Sequence, residues 1–274
     1  MSSNQERVRA KYSRDPARED GRNRRSRAHS MEFRHTKLLL DPYITPETDV
    51  AEFGCVTGHY AEHWQGKCKS YLGVDLVQEN VDFFNAKGLS NARAQLGDAT
   101  HCPELPDASF DVVLCLGPMY HLEAEERPLA MAEMARVCKP GGTLAFAYVN
   151  KVGVQMWAIT NRLERKQLPW YRRLRRSSAY YPNRKSNKAI LAGVNDIDNP
   201  FFFTMPEEME ALAGQCILQV LQNAGVDIIL NTDQINHMDD EQYESWLEFA
   251  EYMLQWPSVT GMAGHALMIC RKPE

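Results

Sequence analysis

The sequence lacks the features that mark membrane-spanning, secreted and nucleic-acid-binding proteins. No apolar run approaches the roughly 20 residues that a membrane-spanning helix needs. The first 30 residues are polar and arginine-rich, which argues against a secretory signal. The net charge of −5 offers no basic excess, so we expect no nucleic-acid partner and no membrane partner.

Paired cysteines are also absent. The sequence has 7 cysteines, an odd number, and no two of them stand in a CxxC pair. Several lie within apolar runs, such as Cys115 in residues 112–116. We therefore predict buried free thiols in a reducing compartment, and hence a cytoplasmic protein.

The hydrophobic pattern predicts an α/β protein. The 274 residues, of which 44% are apolar and 24% charged, are enough for one large domain. From about residue 50, short apolar strands alternate with amphipathic helices, which predicts a doubly wound, mostly parallel sheet of seven strands. The predicted strands are 50–53, 70–75, 92–96, 110–116, 143–148, 227–231 and 266–271; the predicted helices are 31–40, 60–64, 77–86, 123–138, 206–224 and 240–255.

A glycine turn follows the first predicted strand, in the run Glu52-Phe53-Gly54-Cys55-Val56-Thr57-Gly58. The dinucleotide-binding fingerprint needs glycines at 54, 56 and 59 and finds only the first. A second pattern has an acidic residue followed by glycines at alternate positions. Glu52, Gly54 and Gly58 match it, and Val56 does not. Such a turn lets a ligand approach the backbone at the carboxyl edge of the sheet.

Polar groups follow the next three strands as well. Asp75 ends the second strand, where a carboxylate can accept hydrogen bonds from ribose hydroxyls. Asp98 follows the third strand, where it can accept from an adenine amino group. The fourth strand leads into Gly117-Pro118-Met119-Tyr120-His121-Leu122. Together these strand ends suit an adenosine and a chain attached to it.

Residues 50–150 resemble the class I S-adenosylmethionine-dependent methyltransferases, in particular the group with a Gly-Pro-Leu-Tyr-His-Leu signature after the fourth strand. The resemblance implies a Rossmann-like fold and S-adenosylmethionine as cofactor. It implies that the methionine part is held by Glu52, Gly54, Cys55 and Gly58; the ribose and adenine by Asp75, Leu76, Asp98 and Ala99; and the sulfonium by the backbone of Leu116 and Gly117. Tyr12 in the N-terminal segment is a further candidate for covering the cofactor.

The chain then divides into four parts. Residues 1–40 form a helical arm that covers the site, and residues 41–150 form the cofactor-binding core. Residues 151–205, rich in aromatic residues and arginines, are too long for a simple connection and are expected to form a substrate cap. Residues 206–274 complete the α/β core.

Two residues are candidates for catalysis. His121 follows the fourth strand and has a pKa class suited to proton removal near neutral pH. Tyr120 beside it is a second candidate. Both have a structural alternative, namely hydrogen bonding to the cap. Positioning alone can supply about 7–11 kcal/mol of a barrier, so a good nucleophile needs no base.

Three alternatives remain open. Val56 stands where the family usually has glycine, and a β-branched residue resists positive φ. Val56 therefore favours the alternative that this chain is a degenerate member of the family, which uses its pocket for binding without catalysing a reaction. The run Arg172–Arg176 favours an RNA or protein methyltransferase over one that acts on a small-molecule substrate. His59 and His63 match a zinc-protease pattern, but nothing else in the chain supports it, so we expect no metal. We expect a monomer or homodimer.

Overall fold

A computed structural model describes residues 3–22, 26–154, 156, 201–227 and 232–274. The predicted cap lies mostly outside these residues, and Arg172–Arg176 lies outside them entirely. No described helix combines the length and the apolar character needed to cross a membrane.

The described residues form ten labelled helices and one seven-stranded sheet. The helices are α1 (Ser3–Tyr12), α2 (Pro16–Asp20), α3 (Arg27–Leu40), α4 (His59–Trp64), α5 (Gln78–Ala86), α6 (Arg127–Val137), α7 (Pro206–Gln215), α8 (Thr232–His237), α9 (Asp240–Met253) and α10 (Pro257–Thr260). The strands are β1 (Asp49–Phe53), β2 (Ser70–Asp75), β3 (Ala92–Leu96), β4 (Phe110–Cys115), β5 (Cys138–Val149), β6 (Gln219–Gly225) and β7 (His265–Arg271).

The strand order is β3-β2-β1-β4-β5-β7-β6. The first five strands run parallel, and β7 is antiparallel to both β5 and β6. The order reverses direction between β1 and β4, which are hydrogen-bonded neighbours. A crevice opens at such a point, outside the carboxyl ends of the strands, and ligands bind there in doubly wound folds. The predicted fold class is confirmed.

Apolar layers cover both faces of the sheet. On one face, Phe53 and Phe146 pack with Met131 of α6. On the other, Leu114 packs with Trp64 of α4 and with α5. Helices on both faces explain why β4 reads as an almost unbroken apolar run, since each of its sides is buried. All seven cysteines are free, and six of them are buried.

The segment after the predicted cap differs from the prediction. The predicted helix 206–224 ends at Gln215, and the sixth strand of the sheet is Gln219–Gly225. The predicted strand 227–231 lies, apart from its first residue, outside the described residues. Ile217 takes the left-handed conformation with φ of +57°, which stops the helix and reverses the chain. Antiparallel pairing with β7 then forms the strand from a stretch that shows no clear alternation.

Two boundaries around the fourth crossover also move. Helix α6 begins at Arg127 rather than at residue 123. Strand β5 begins at Cys138, and so includes the run Lys139-Pro140-Gly141-Gly142 that the sequence suggested as a turn. Pairing with β4 shifts register there, and Gly141 has φ of +72°. The extended pairing therefore contains an irregularity where the turn was expected.

Candidate functional site

A cavity lies at the carboxyl ends of the parallel strands and encloses about 1190 Å³, including its open mouth. One side, which we call the strand-end wall, is formed by residues that follow β1 to β4. It consists of Glu52, Gly54, Cys55, Val56, Asp75, Leu76, Asp98, Ala99, Leu116 and Gly117.

The opposite side, which we call the arm wall, comes from the first three helices and their connections. It consists of Asn4, Gln5, Val8, Tyr12, Glu19, Arg22 and Glu32. Sequence reasoning singled out Tyr12 here and missed the other six. They belong to a polar segment without a motif, so no local signal distinguishes them from solvated residues.

The structure brings all but one of the predicted site residues to this cavity, with Tyr120 and His121 next to the arm wall. The exception is Gly58, which does not line it. Gly58 caps α4 with φ of +83°, and a Cβ there would lie 2.4 Å from the ring of Phe84. A glycine is required at this position by the backbone conformation and by close packing against Phe84, rather than by contact with a ligand.

Val56 takes the left-handed backbone conformation in this turn. Its φ is +47°, in the region that β-branched residues rarely adopt. Its backbone N–H donates a hydrogen bond to Asp75 Oδ2 at 2.8 Å. The valine therefore leaves the turn intact, and the cavity remains open beside it.

Asp75, in the strand-end wall, accepts three hydrogen bonds from protein groups. Besides the bond from Val56, its Oδ1 accepts from the Val77 N–H at 2.9 Å and from Asn80 Nδ2 at 3.1 Å. Burial raises its pKa, and these three hydrogen bonds lower it only in part. A carboxylate offers about four acceptor positions, so it can still receive a ligand hydroxyl.

Glu52 is buried at the end of β1 and accepts a hydrogen bond from the Tyr71 hydroxyl at 2.6 Å. Burial raises the pKa of Glu52 to about 8; the Tyr71 bond opposes this shift, and the charge of Asp75 adds to it. A cationic group entering the cavity would favour the ionised carboxylate, because opposite charges attract strongly in a buried site.

Asp98 links the two walls of the cavity. Its Oδ1 accepts from the backbone and the hydroxyl of Thr100, at 2.9 and 2.8 Å. Its Oδ2 accepts from Gln5 Nε2 of α1 at 2.7 Å. The carboxylate is thereby held at the edge of the site, and the arm covers it.

The arm also holds the segment that follows β4. Asn4, fully buried, donates from Nδ2 to the backbone carbonyl of His121 at 2.6 Å. The Tyr12 hydroxyl lies 2.8 Å from His121 Nε2. Burial raises the pKa of Tyr12, so this hydroxyl stays protonated. His121 contacts the ring of Tyr120, and Phe201 stacks on Tyr120 at 5.6 Å between ring centroids.

Helix α2 is attached to the helices that follow β1 and β2. Lys87, at the end of α5, forms ion pairs with Asp20 at 2.5 Å and with Glu62 at 2.8 Å. His59 Nε2 lies 3.0 Å from the carbonyl of Glu19. His63 instead contacts Asp41, so the two histidines of the zinc pattern do not converge. Among the described residues, no cluster of three or more potential ligands could hold a metal.

The chemistry of the cavity fits S-adenosylmethionine. Three carboxyl groups, from Glu52, Asp75 and Asp98, line one wall in chain order. The cofactor offers matching hydrogen-bond donors in its ammonium group, ribose hydroxyls and adenine amino group. Leu76, Ala99 and Leu116 add apolar surface for a ring. The residues present therefore suit a ligand with one amino-acid end and one nucleoside end.

Comparison with known proteins gives an independent result. Residues 51–146 match the family model described as a methyltransferase domain. That range contains all of β2 to β4 and most of β1 and β5, and it includes the whole strand-end wall. The arm wall lies outside the match.

Curated relatives also match part of the chain. A malonyl-[acyl-carrier protein] O-methyltransferase from Yersinia pestis is 32% identical over 36% of this chain and 35% of its own length. A probable tRNA methyltransferase 9B from Mus musculus is 31% identical over 47% of this chain and 27% of its own length. The chain thus spans about a third of the length of these relatives.

The fold extends the likeness to nearly the entire chain. A chain from the complex between the Haloferax volcanii Trm112 methyltransferase activator and a methyltransferase superposes with a TM-score of 0.58. The match covers 96% of this chain and 98% of that one, at 19% identity. At this identity, the comparison establishes a shared fold.

Proposed function

We propose that this protein, which carries a class I S-adenosylmethionine-dependent methyltransferase domain, transfers the methyl group of that cofactor to a small-molecule acceptor. The observation that carries the proposal is the row of carboxyl groups from Glu52, Asp75 and Asp98 at consecutive strand ends, within one cavity. The family match over residues 51–146 supports the same cofactor.

The strand-end wall binds and orients the cofactor in this proposal. Asp75 accepts from the ribose, Asp98 meets the adenine edge, and Glu52 faces the ammonium group. When bound, S-adenosylmethionine supplies a methyl group on a positively charged sulfur, which is open to nucleophilic attack. The backbone of Leu116 and Gly117 lies beneath that position. Fixed geometry of this kind reduces the barrier because the entropy of alignment is lost on binding rather than during reaction.

The arm wall excludes water and orients the reactive side in this proposal. Tyr12 and Asn4 fix His121 through its ring nitrogen and its backbone carbonyl. His121 removes a proton from an acceptor that needs activation, and Tyr120 helps to define the acceptor's position. Exclusion of water strengthens every electrostatic contact inside the cavity.

Isothermal titration with S-adenosylmethionine and with S-adenosylhomocysteine tests the cofactor assignment. We expect both to bind with micromolar affinity. Absence of binding for both would contradict the proposal and favour the non-enzymatic alternative that Val56 raises. With binding established, incubation with radiolabelled cofactor and pooled metabolites would identify acceptors by methyl uptake.

RNA is a second candidate acceptor, because one group of relatives carries the name tRNA methyltransferase 9B. The net charge of −5 argues against extensive phosphate contact. Retention on immobilised tRNA that falls steeply with salt would favour RNA, as would methyl uptake into tRNA. Uptake into metabolites alone would favour the small-molecule acceptor.

A further inference from the structure

One arginine in the arm wall has no role in the chemistry described so far. Arg22 follows α2 and lies 3.4 Å from Glu32. Its charge also acts on the Tyr120 hydroxyl. Its side chain keeps 34% of its surface accessible although protein surrounds it. That surface faces the cavity, which Arg22 lines.

The guanidinium has capacity for another anion. It carries five N–H donors, and within the described ranges its side-chain partners are Glu32 and Tyr120. The distance to Glu32 exceeds the ~2.7–2.9 Å typical of a tight charged pair. Glu32 is also shared, since its carboxylate lies 4.0 Å from His265 Nδ1. Burial raises the pKa of Glu32, but His265 and Arg22 outweigh it and keep the carboxylate ionised.

The surroundings of Arg22 indicate which anion fits. Tyr60, on the first turn of α4, follows the glycine turn and lines the cavity together with Arg22. The centroid of its ring lies 5.0 Å from that of Phe33, the neighbour in α3 of Glu32, which pairs with Arg22. Glu52, at the end of β1, precedes the same turn and also lines the cavity. An acidic and a basic side chain are thus available beside the glycine turn. That pairing complements a group with adjacent ammonium and carboxylate charges, such as an α-amino acid.

Arg22 also has no competitor for a negatively charged group. Among the described residues that line the cavity, it is the only arginine, and no lysine accompanies it. The nucleoside side carries the carboxylates of Asp75 and Asp98 instead. A ligand with one carboxylate thus meets one permanent cation.

We propose that Arg22 binds the carboxylate of the cofactor's methionine part, opposite the carboxyl group of Glu52, which faces the ammonium; this inference rests on the proposed function. Glu32 holds the guanidinium in place, so its planar donors are oriented before the ligand arrives. The arm then recognises the amino-acid end of the cofactor in addition to covering it.

The experiment compares two ligands that differ in one group. Titration calorimetry is performed with S-adenosylhomocysteine and with its decarboxylated analogue, on the full-length protein and on Arg22→Met and Arg22→Lys. We expect Arg22→Met to weaken the binding of S-adenosylhomocysteine about 10- to 100-fold, the loss typical of a charge-assisted hydrogen bond. The affinity for the decarboxylated analogue should not change. Arg22→Lys should lose less affinity than Arg22→Met, because lysine keeps the positive charge but lacks the paired, planar N–H donors of arginine.

Arg34→Met is the matched control, since Arg34 pairs with Glu251 at the surface and away from the cavity. It should leave both affinities unchanged. Arg22→Met leaves Glu32 without its arginine partner, so the double variant Arg22→Met with Glu32→Gln is titrated too. Thermal unfolding verifies that each variant is folded. We expect the double variant to show the same selective loss.

Two outcomes would overturn the assignment of Arg22 to the carboxylate without contradicting the proposed function. Equal losses for both ligands would mean that Arg22 acts through the arm's structure, and no loss for either would mean that it does not face the carboxylate. If the unmodified protein bound neither S-adenosylmethionine nor S-adenosylhomocysteine, the proposed function would fail first, and this inference with it.

Discussion

The two walls of the cavity have different origins. In the strand-end wall, Glu52, Asp75 and Asp98 are each placed by the end of a parallel strand. In the arm wall, Asn4 and Gln5 are placed by hydrogen bonds to residues 117 and 93 positions away along the chain. The first wall is built into the sheet, whereas the second depends on docking.

This difference implies a division of labour. Strand ends in a packed sheet are rigid, so they suit contacts that determine affinity. A docked helix with few buried apolar residues opens locally at lower free energy than the core does. Changes in the strand-end wall should therefore abolish binding, whereas changes in the arm wall should weaken it and speed release.

The largest effect is expected from Asp75→Ala. The substitution removes the acceptor proposed for the ribose and leaves the N–H groups of Val56 and Val77 without their partner. We expect titration to show no measurable binding of S-adenosylhomocysteine. Asp75→Asn, which keeps the side chain's size, should also bind at least about 10-fold more weakly. Asp82→Ala on the exposed face of α5 is the control, and unchanged affinity in Asp75→Ala would contradict the ribose assignment.

A pH dependence is expected from Glu52. Its carboxyl is largely protonated at pH 6 because its pKa is about 8, and an arriving ammonium group requires it to ionise. Binding therefore releases a proton, so affinity should rise as pH increases from 6 to 8, by up to about tenfold per unit. The rise should level off near pH 8, where α-amino groups themselves lose a proton.

Calorimetry in buffers of different ionisation enthalpy measures this proton release directly. Glu52→Gln should flatten the pH profile, because it cannot ionise. If the affinity of the unmodified protein were also independent of pH, Glu52 could not be the partner of the ammonium group.

A smaller effect is expected from Asn4→Ala, which removes the buried hydrogen bond between α1 and the carbonyl of His121. The arm should detach more often, and S-adenosylhomocysteine should bind about 3- to 10-fold more weakly, in keeping with one lost buried hydrogen bond. Stopped-flow measurement should assign the change to faster dissociation. Gln255→Ala at the surface is the control. A loss as complete as that of Asp75→Ala would remove the distinction between the two walls.

The smallest effect is expected from Val56→Gly. The left-handed conformation costs a residue with a Cβ about 1–2 kcal/mol, and glycine's greater freedom in the unfolded chain offsets about 0.5–1 kcal/mol of that. Urea unfolding should therefore show a gain of up to about 1 kcal/mol. Ala108→Gly, at φ of +50° and away from the cavity, should gain a similar amount. A clear loss of stability in Val56→Gly alone would show that the valine's packing outweighs the strain.

Much of the sheet follows from local pattern. Strands β2 and β3 have the predicted bounds, and β1, β4 and β7 differ by one residue at an end. Strands β1, β2, β4 and β7 are mainly apolar, whereas β3 alternates apolar and polar residues. Strand β6 is different, because its residues show no clear alternation and its pairing with β7 outweighs their helical preference.

The candidate site divides in the same way. Glu52, Asp75 and Asp98 could be predicted because each follows a strand, and parallel strands end at one edge. Arg22 and Gln5 could not, because arginines and glutamines in a polar segment give no signal of what they will contact. Gly58 shows the converse, since a residue of the motif serves packing against Phe84 rather than the cavity.

By itself, the sequence determined the parallel core, the glycine turn and the order of the acidic strand ends, because these depend on apolar runs and on neighbours within a few residues. The tertiary structure alone decided which residues of the N-terminal segment line the cavity, Arg22 among them, and that Val56 adopts a left-handed conformation. Those outcomes depend on contacts between distant parts of the chain, whose free energy becomes available only once the sheet and its helices are packed.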